Sequence, residues 1–385
     1  MVDRLEVGGV EKVAIQQVAA LRAIGHDAEL LVLRGAGDGF AAFADLLSRI
    51  PVRVLDLRLP RPLRRSRPIP GFAFLQTFHF THPLLARRLL RVGEVDAILC
   101  HGSYTAFTAF AAGRAHGVPV ALFLWDPTRA VVMSPAYDGR AIGRLRPALL
   151  PVARWLDRRL VRRAGLVVLG GLPYAGYVHA LGPRGLLVSH PAAEPVDRAL
   201  EASERRPEVL AATAWKPGKH PERLLPIVER HADLRLVLAG AWLDEAQLAG
   251  FREAVGRRGL EDRVELTGRI GEDELARRYA LARFVIQAWP SPGFGLSPLE
   301  AAANGTTFAI PRDQGSAEVF RDGIDGVLFD LAREGDLLRA ADRLAGDPEG
   351  AARMGASALE RVRERASWKS RARELAAALA ELTGR

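Results

Sequence analysis

Short apolar segments alternate with helix-forming segments along most of this 385-residue chain. Apolar segments between helices are typical of strands buried on both faces, and strands separated by helices pair in parallel. The pattern therefore predicts an α/β fold with doubly wound parallel sheets. The predicted strands are Ala28–Leu33, Val52–Leu57, Ala97–His101, Val120–Leu124, Leu166–Leu169, Leu186–Ser189, Val209–Ala212, Leu234–Ala239, Val264–Thr267, Phe284–Ala288 and Thr307–Ile310.

The alternating pattern breaks once, over residues 191–207, where Pro, Ala and charged residues are concentrated. The chain is also too long for a single hydrophobic core. We therefore predict an N-terminal domain over residues 1–190 and a C-terminal domain over residues 191–365. A last helix, residues 366–385, is expected to pack back toward the N-terminal domain.

The start of the chain is unusual for such a domain. Gly8 and Gly9 precede a helix predicted over Glu11–Ile24, which Gly25 ends. Only seven residues lie before Gly8, although a doubly wound domain needs a central strand there. Either that strand is short, or the chain begins several residues downstream of its natural start.

Composition indicates an ordinary globular protein, with 49% hydrophobic and 26% charged residues. A membrane span is not expected, because no apolar run reaches about 18 residues. The single cysteine, Cys100, excludes an internal disulfide and is consistent with a cytoplasmic location. The nine histidines and this cysteine lack metal-ligand spacing, so no metal site is predicted.

The positive charge lies in the N-terminal half. Residues 1–195 contain 25 Lys and Arg against 14 Asp and Glu, whereas residues 196–385 contain 29 against 31. The clusters are Arg58–Arg67, Arg87, Arg88, Arg91 and Arg154–Arg163. Such a surface fits anionic lipid head groups, a pyrophosphate-linked acceptor or nucleic acid. The alternative is that these are solvated helix faces of an Arg-rich protein.

The segment Ser291–Ile310 follows a predicted strand and has the pattern of an anion site. Its Pro- and Gly-rich turn leads into a helix near Ser297, which can cap it. The free N–H groups of Gly295 and Leu296 would then face the strand ends. Glu300, one turn into the helix, can accept hydrogen bonds from a ribose diol. The alternative is a structural helix with Glu300 at the favourable end of its dipole.

Several segments in register resemble glycosyltransferase family 4, a family of retaining enzymes with the GT-B fold, and the resemblance covers nearly the whole chain. It implies two Rossmann-like domains that face a central cleft. The segments are GGVEKVAIQQVAALRAIGH (Gly8–His26), LRLVLAG (Leu234–Gly240), DRVELTGRIGEDELARRYALA (Asp262–Ala282), GFGLSPLEAAANG (Gly293–Gly305), GSAEV (Gly315–Val319) and DGIDGVLF (Asp322–Phe329).

The resemblance implies metal-independent transfer of a hexose-type sugar from a UDP- or GDP-sugar, with no further cofactor. The hydroxyl acceptor would bind the N-terminal domain. By resemblance, Glu300 holds the ribose and Lys219 belongs to a diphosphate clamp. The other implied donor-binding residues are Gly293, Phe294, Gly295, Leu296, Gly268, Arg269, Ile270, Gly8, Gly9 and Glu318.

Three positions depart from the family pattern. Pro292 stands where the family's first Glu-x7-Glu glutamate belongs, and Ala214 stands where the clamp arginine belongs. Trp125 replaces a histidine often found after the fourth strand. Lys216 is the candidate substitute for the arginine. Either transfer tolerates these losses, or the chain is a nucleotide-sugar-binding pseudoenzyme or partner subunit.

Two further polar residues are candidates on the acceptor side. His101 ends a strand, where it would orient an acceptor or serve as a satisfied strand-end histidine. Asp126 would act on an acceptor hydroxyl or cap the turn at Pro127. The acceptor is expected to be lipid-linked or a polysaccharide. An anionic membrane at the inner face would be contacted through Arg58, Arg61, Arg64, Arg65 and Arg67.

Two other classes of protein fit less well. A nicotinamide-dependent enzyme needs Gly-x-Gly-x-x-Gly between a strand and a helix, and the glycines of residues 35–39 have the wrong spacing. A nucleic-acid-binding protein is supported by charge alone, because the basic half contains neither a zinc module nor interleaved arginines and aromatic residues.

Overall fold

The computed structural model of the chain describes residues 1–6, 8–34, 39–55, 95–133, 141–289 and 293–384. Pro292, the basic residues between 58 and 91, and the glycine segment before Gly39 lie outside these ranges. The chain forms two compact units. Unit 1 comprises Met1–His190 and Trp368–Arg385, and unit 2 comprises Pro191–Ser367. These divisions lie within two residues of the predicted domain limits.

All named strands of unit 1 pair in parallel. Strands β1 and β2 form one ladder, and β3, β4, β5 and β6 form a second in that order. The strand bounds are β1 (Leu30–Val32), β2 (Val52–Val54), β3 (Ile98–His101), β4 (Val120–Phe123), β5 (Leu166–Leu169) and β6 (Leu186–Val188).

The first residues of the chain lie between these two ladders. The α-amino group of Met1 donates to the Leu99 carbonyl at 2.7 Å, and the Met1 carbonyl accepts from the His101 N–H at 3.0 Å. On the other side, Val2 exchanges two backbone hydrogen bonds with residues 31 and 33. The backbone at Met1 and Val2 therefore pairs with a strand on each side.

The helices of unit 1 pack on both faces of its parallel strands. The last helix belongs to this unit, where Leu375, Leu379 and Leu382 pack in one cluster with Phe123 and Val168. The helix bounds are α1 (Gly9–Ala23), α2 (Gly39–Ala42), α3 (Ala44–Leu47), α4 (Ser103–His116), α5 (Thr128–Met133), α6 (Ala141–Arg144), α7 (Arg146–Arg163), α8 (Ala175–Ala180) and, at the C-terminus, α15 (Trp368–Thr383).

Unit 2 contains one parallel sheet of six strands in the order β12-β11-β10-β7-β8-β9. The winding direction reverses between β7 and β10, so this sheet has a topological switch point. The strand bounds are β7 (Glu208–Ala212), β8 (Arg235–Ala239), β9 (Val264–Gly268), β10 (Phe284–Ile286), β11 (Phe308–Pro311) and β12 (Val327–Phe329).

Successive residues of these strands pack into opposite hydrophobic layers. Val209 and Ala211 contribute to one layer, and Leu210, between them, contributes to the other. Burial on both faces explains why the strands are continuous apolar runs in the sequence. The helices of unit 2 are α9 (Leu225–Arg230), α10 (Glu245–Arg257), α11 (Glu272–Leu281), α12 (Leu296–Ala303), α13 (Asp336–Gly346) and α14 (Pro348–Arg365).

The predicted doubly wound α/β class is confirmed. Strand β12 was not predicted, because its three residues follow a turn-rich segment and are too few to show a strand pattern. Within the described ranges, no helix combines the length and apolarity that crossing a bilayer requires.

Candidate functional site

The switch point of unit 2 brings together the loops that follow β7 and β10. Lys219 follows β7 and Trp289 follows β10, and the Lys219 Nζ lies 4.5 Å from the centroid of the Trp289 ring. The Trp289 side chain is buried. In an open parallel sheet, ligands bind outside the carboxyl ends of the strands at such a point. The contact therefore places an ammonium group where an anionic ligand is expected.

The loop after β7 is held by Trp215. This ring is fully buried, stacks on Trp242 at 5.4 Å and meets the Trp289 ring edge-on at 5.6 Å. Its Nε1 donates to the Ala239 carbonyl at 3.2 Å. Ala214 and Lys216 on either side are exposed. The replacement of the missing arginine by Lys216 stays a prediction.

The turn after β10 requires glycine at position 295. Gly295 has φ +75°, and a Cβ on it would lie 2.0 Å from the Nε2 of Gln314. Two backbone hydrogen bonds fix this turn against the chain after β11: Gly315 N–H to the Gly293 carbonyl at 3.2 Å, and Ser316 N–H to the Phe294 carbonyl at 2.7 Å. The local backbone is therefore set by a segment some twenty residues away.

Helix α12 starts at Leu296, with Gly295 as its N-terminal cap residue and no capping side chain in the part of the chain described. The expectation that Ser297 caps the helix is wrong. Ser297 lies inside the helix, and its Oγ is 3.1 Å from the Tyr279 hydroxyl. The first N–H groups of α12 thus stay available to a ligand at the strand edge.

Glu300 is the fifth of the eight residues of α12, one turn after its start, and is partly exposed. Its Oε2 accepts a hydrogen bond from the Tyr279 hydroxyl at 3.1 Å. Burial, followed by the nearby charge of Glu300, raises the pKa of Tyr279 well above its usual value, so the phenol remains a donor. Tyr279 was not predicted, because its position in the apolar stripe of α11 is typical of a core residue.

Two further segments reach the same edge of the sheet. Gly268 ends β9 with φ +65°, and its carbonyl accepts from the Gly240 N–H at 2.9 Å. Next to it, Arg269 is exposed and Ile270 is partly buried. Glu318 ends the 3-10 turn Gly315–Glu318 that follows β11 and is partly exposed. Their contacts with a donor stay predictions.

In unit 1, Gly8 and Gly9 form the beginning of α1. Gly8 is extended and no side chain in the described ranges caps the helix. A Cβ on Gly8 would lie 2.6 Å from the Oε2 of Glu11, so this carboxylate occupies the space beside the glycine. Burial raises the pKa of Glu11. An anion that approached these amides would also meet Glu11.

His101 ends β3 and is 6% exposed. Its ring stacks on Phe123 at 5.3 Å and on Trp125 at 6.3 Å. Burial lowers the pKa of His101 well below its usual value, so the imidazole is neutral. Its Nδ1 is buried and has no hydrogen-bond partner within the described residues. Whether His101 orients an acceptor or is a satisfied strand-end histidine stays open.

Asp126 is exposed and accepts a hydrogen bond from the Tyr174 hydroxyl at 3.0 Å. The buried carboxylate of Asp157 accepts the first N–H groups of α5 instead, from Thr128 at 2.7 Å and Arg129 at 3.0 Å. Helix α5 is thus capped from α7. Asp157 was not predicted, because the pairing joins segments almost thirty residues apart.

Two family models match the chain. The one described as "Glycosyl transferase 4-like domain" matches residues 8–189, and the one described as "Glycosyl transferases group 1" matches residues 194–361. Together they leave only a short linker and the two ends of the chain unmatched.

Related sequences match over parts of their length. A D-inositol 3-phosphate glycosyltransferase of Streptomyces griseus is 32% identical over 113 residues, which are 29% of this chain and 24% of that protein. A GDP-mannose-dependent alpha-(1-6)-phosphatidylinositol monomannoside mannosyltransferase of Mycobacterium tuberculosis is 27% identical over 255 residues, 60% of this chain and 65% of that protein. This chain thus spans less than two thirds of either relative.

The structure of Anabaena HepE in complex with UDP and glucose is similar over 99% of this chain and 98% of its own, with a TM-score of 0.74 and 17% identity. At this identity the likeness establishes the fold, which is GT-B.

Proposed function

We propose, from the premise that this chain belongs to the group 1 glycosyltransferases, that it transfers a hexose-type sugar from a UDP- or GDP-sugar to a hydroxyl acceptor. The observation that carries the proposal is the contact of Lys219 with Trp289 at the switch point of unit 2, where β10 leads on to the start of α12 and to Glu300. An ammonium group, free amides and a carboxylate are what a diphosphate attached to a ribose needs.

The proposed donor contacts are those that the family resemblance implies. Glu300 accepts hydrogen bonds from the ribose diol, and the backbone of Gly293–Leu296 contacts the diphosphate or the sugar. Gly268, Arg269 and Ile270 lie along the base, and Glu318 lies near the nucleotide. Gly8 and Gly9 are further proposed donor contacts, through their backbone amides. The HepE complex with UDP and glucose supports a uridine donor, and the GDP-mannose-dependent relative supports a guanosine donor.

The proposed chemistry depends on positive charge beside the leaving group. When the bond between the sugar and the diphosphate breaks, negative charge grows on the diphosphate, and fixed cations and amides stabilise it. Lys219 and Lys216 supply this charge together with the α12 amides, and we propose retention of the anomeric configuration without a metal ion. Because Pro292 stands in place of the family's glutamate, we propose that sugar recognition is altered more than stabilisation of the leaving group's charge.

On the acceptor side, we propose that neutral His101 orients the hydroxyl and that Asp126 accepts its proton or a hydrogen bond. A lipid-linked acceptor is our first choice and a polysaccharide the second. The relative that acts on a phosphatidylinositol monomannoside supports the first choice. The basic segment Arg58–Arg67 would hold the protein on the inner membrane face.

Calorimetric titration with UDP, GDP and their hexose derivatives tests the proposal. We expect micromolar binding, about −8 kcal/mol, and a large loss in the Glu300→Ala variant. Glu253→Ala, in the later part of α10, is the control, because Glu253 is exposed and lies two turns from the end of the helix that contacts Lys216. Failure of both nucleotides to bind would contradict the proposal. Binding without donor hydrolysis or transfer would identify a catalytically impaired sugar-nucleotide-binding protein.

A further inference from the structure

Helix α7 exposes an apolar stripe on its outer face. Leu145, which precedes the helix, is 52% exposed, Val152 is 45% exposed and Trp155 is 56% exposed. Their spacing of seven and three residues places them on one line along the helix, together with exposed Ala148. A large aromatic residue at the end of an exposed apolar stripe is unusual on a surface that faces only water.

A basic stripe runs beside this apolar stripe. Arg154, Arg158 and Arg162 recur every four residues and are exposed. Helix α7 contains six arginines and one acidic residue, Asp157, which is fully buried and caps α5. All outward charges of the helix are therefore positive.

Three of these arginines have no acidic partner among the described residues. Arg154, Arg158 and Arg159 form no salt bridge in the part of the chain that the structure describes, and the Arg159 guanidinium lies 5.3 Å from the centroid of the Trp155 ring. Burial, followed by repulsion from Arg159 and Arg114, lowers the pKa of Arg163. Positive charge is thus crowded on this face, and Arg154, Arg158 and Arg159 have no carboxylate partner among the described residues.

We propose that this face of α7, formed by Leu145, Val152, Trp155, Arg154 and Arg158, docks on an anionic lipid bilayer. A helix with an apolar stripe, a neighbouring arginine-rich stripe and an exposed tryptophan binds in the plane of the membrane interface. The arginines meet lipid phosphates while the Trp155 ring enters the boundary between head groups and acyl chains. A polynucleotide would pair with the arginines but would leave the apolar stripe exposed.

The position of the helix fits a lipid-linked acceptor. Helix α7 leads directly into β5, so its N-terminal end, with Leu145, lies toward the carboxyl ends of the unit 1 strands. His101 and Asp126 follow strands at that same edge. This inference deepens the proposed function, on which the lipid-linked acceptor depends, by naming the surface that would meet the membrane.

Vesicle binding by the full chain tests the inference. Co-sedimentation compares vesicles of phosphatidylcholine alone with vesicles that also contain phosphatidylglycerol, at low and high salt. We expect binding to the anionic vesicles only, weakened by salt. Trp155→Ser is expected to weaken it about tenfold, and Arg158→Glu about fivefold or more. Leu243→Ser and Arg252→Glu, at exposed positions of unit 2, are the matched controls and should bind as wild type.

Tryptophan emission supplies a second readout that does not depend on affinity. Anionic vesicles should shift the emission to shorter wavelengths in wild type but not in Trp155→Phe. The inference would be overturned if both α7 variants bound vesicles as wild type does, or if the controls lost as much binding. It would also be overturned if the protein bound RNA and Trp155→Ser left that binding unchanged. Nucleotide titration of the same variants without vesicles separates this outcome from failure of the proposed function, because donor binding does not involve α7.

Discussion

The Nζ of Lys219 lies 4.5 Å from the centroid of the Trp289 ring, in a cation–π contact that joins the loop after β7 to the loop after β10. Trp289 is buried and touches Trp215 edge-on, so its ring is a fixed platform. Such contacts contribute about 0.5–2 kcal/mol, the larger values applying where water is excluded. The ring therefore restricts the ammonium group to the switch point before any ligand arrives.

Replacement of Trp289 should weaken nucleotide binding through Lys219. We expect Trp289→Leu to raise the dissociation constant for UDP or GDP about fivefold, with a smaller effect for Trp289→Phe. In a Lys219→Met background, Trp289→Leu should have little further effect, because the group that it positions is gone. Calorimetry of the four variants gives the coupling energy. Equal losses in both backgrounds would mean that Trp289 only fills the core.

The Tyr279 hydroxyl should contribute to donor binding by orienting Glu300. Tyr279→Phe removes one hydrogen bond to this carboxylate, and we expect nucleotide affinity to fall about three- to tenfold. Ser297→Ala, which removes the other neighbour of the same hydroxyl, is the matched control and should have a smaller effect. If the two variants bind nucleotide equally well, the Tyr279 hydroxyl does not contribute to donor binding through Glu300.

Gly295 should tolerate no side chain. Its φ of +75° disfavours any L residue, and a Cβ would overlap Gln314. We expect Gly295→Ala to lower the free energy of unfolding by about 2 kcal/mol or more. Gly250, inside α10 with open space around it, is the control: Gly250→Ala should stabilise the protein by about 0.5–1 kcal/mol. Urea titration measures both, and a neutral Gly295→Ala would mean that the turn rearranges.

His101 should make stability depend on pH. Its pKa is lowered in the folded protein by burial, so the unfolded chain takes up its proton first as the pH falls. The free energy of unfolding should therefore decrease below about pH 6.5. His101→Phe keeps a ring for the stack on Phe123 and should remove part of this decrease, whereas His116→Phe, at an exposed position, should not. Urea midpoints at pH 7 and pH 5 decide between these outcomes.

Local sequence patterns predicted most of the fold. Strands β7, β8 and β10 are apolar because both their faces are buried, and such runs are visible without a structure. The turn before α12 was also predictable, because proline and glycine are concentrated in residues 290–295 of the sequence. The residue at which α12 starts was not predictable. Gly295 lies against Gln314 and Ser297 lies against Tyr279, and both neighbours come from other segments of the chain.

Contacts between segments distant in sequence also explain why sequence reasoning missed certain residues. Tyr279 contacts Glu300 from a separate helix, and Asp157 caps α5 from a position almost thirty residues later in the chain. In both cases the pairing depends on tertiary packing, and each residue taken alone is typical of an amphipathic helix. Likewise, Trp289 looks like an ordinary apolar residue in the sequence, and its contact with Lys219 is seen only in the structure.

Lys216 should substitute for the arginine that Ala214 lacks. Both residues are exposed beside the buried Trp215, and the Lys216 carbonyl accepts from Gln247 at 3.2 Å, so the backbone there is anchored. We expect Lys216→Ala to weaken nucleotide binding about fivefold or more, as loss of a charged partner does. Ala214→Arg should restore much of that loss, whereas Ala246→Arg, on the outer face of α10, should not. Restoration by both would indicate a general effect of net charge, and restoration by neither would remove Lys216 from the diphosphate site.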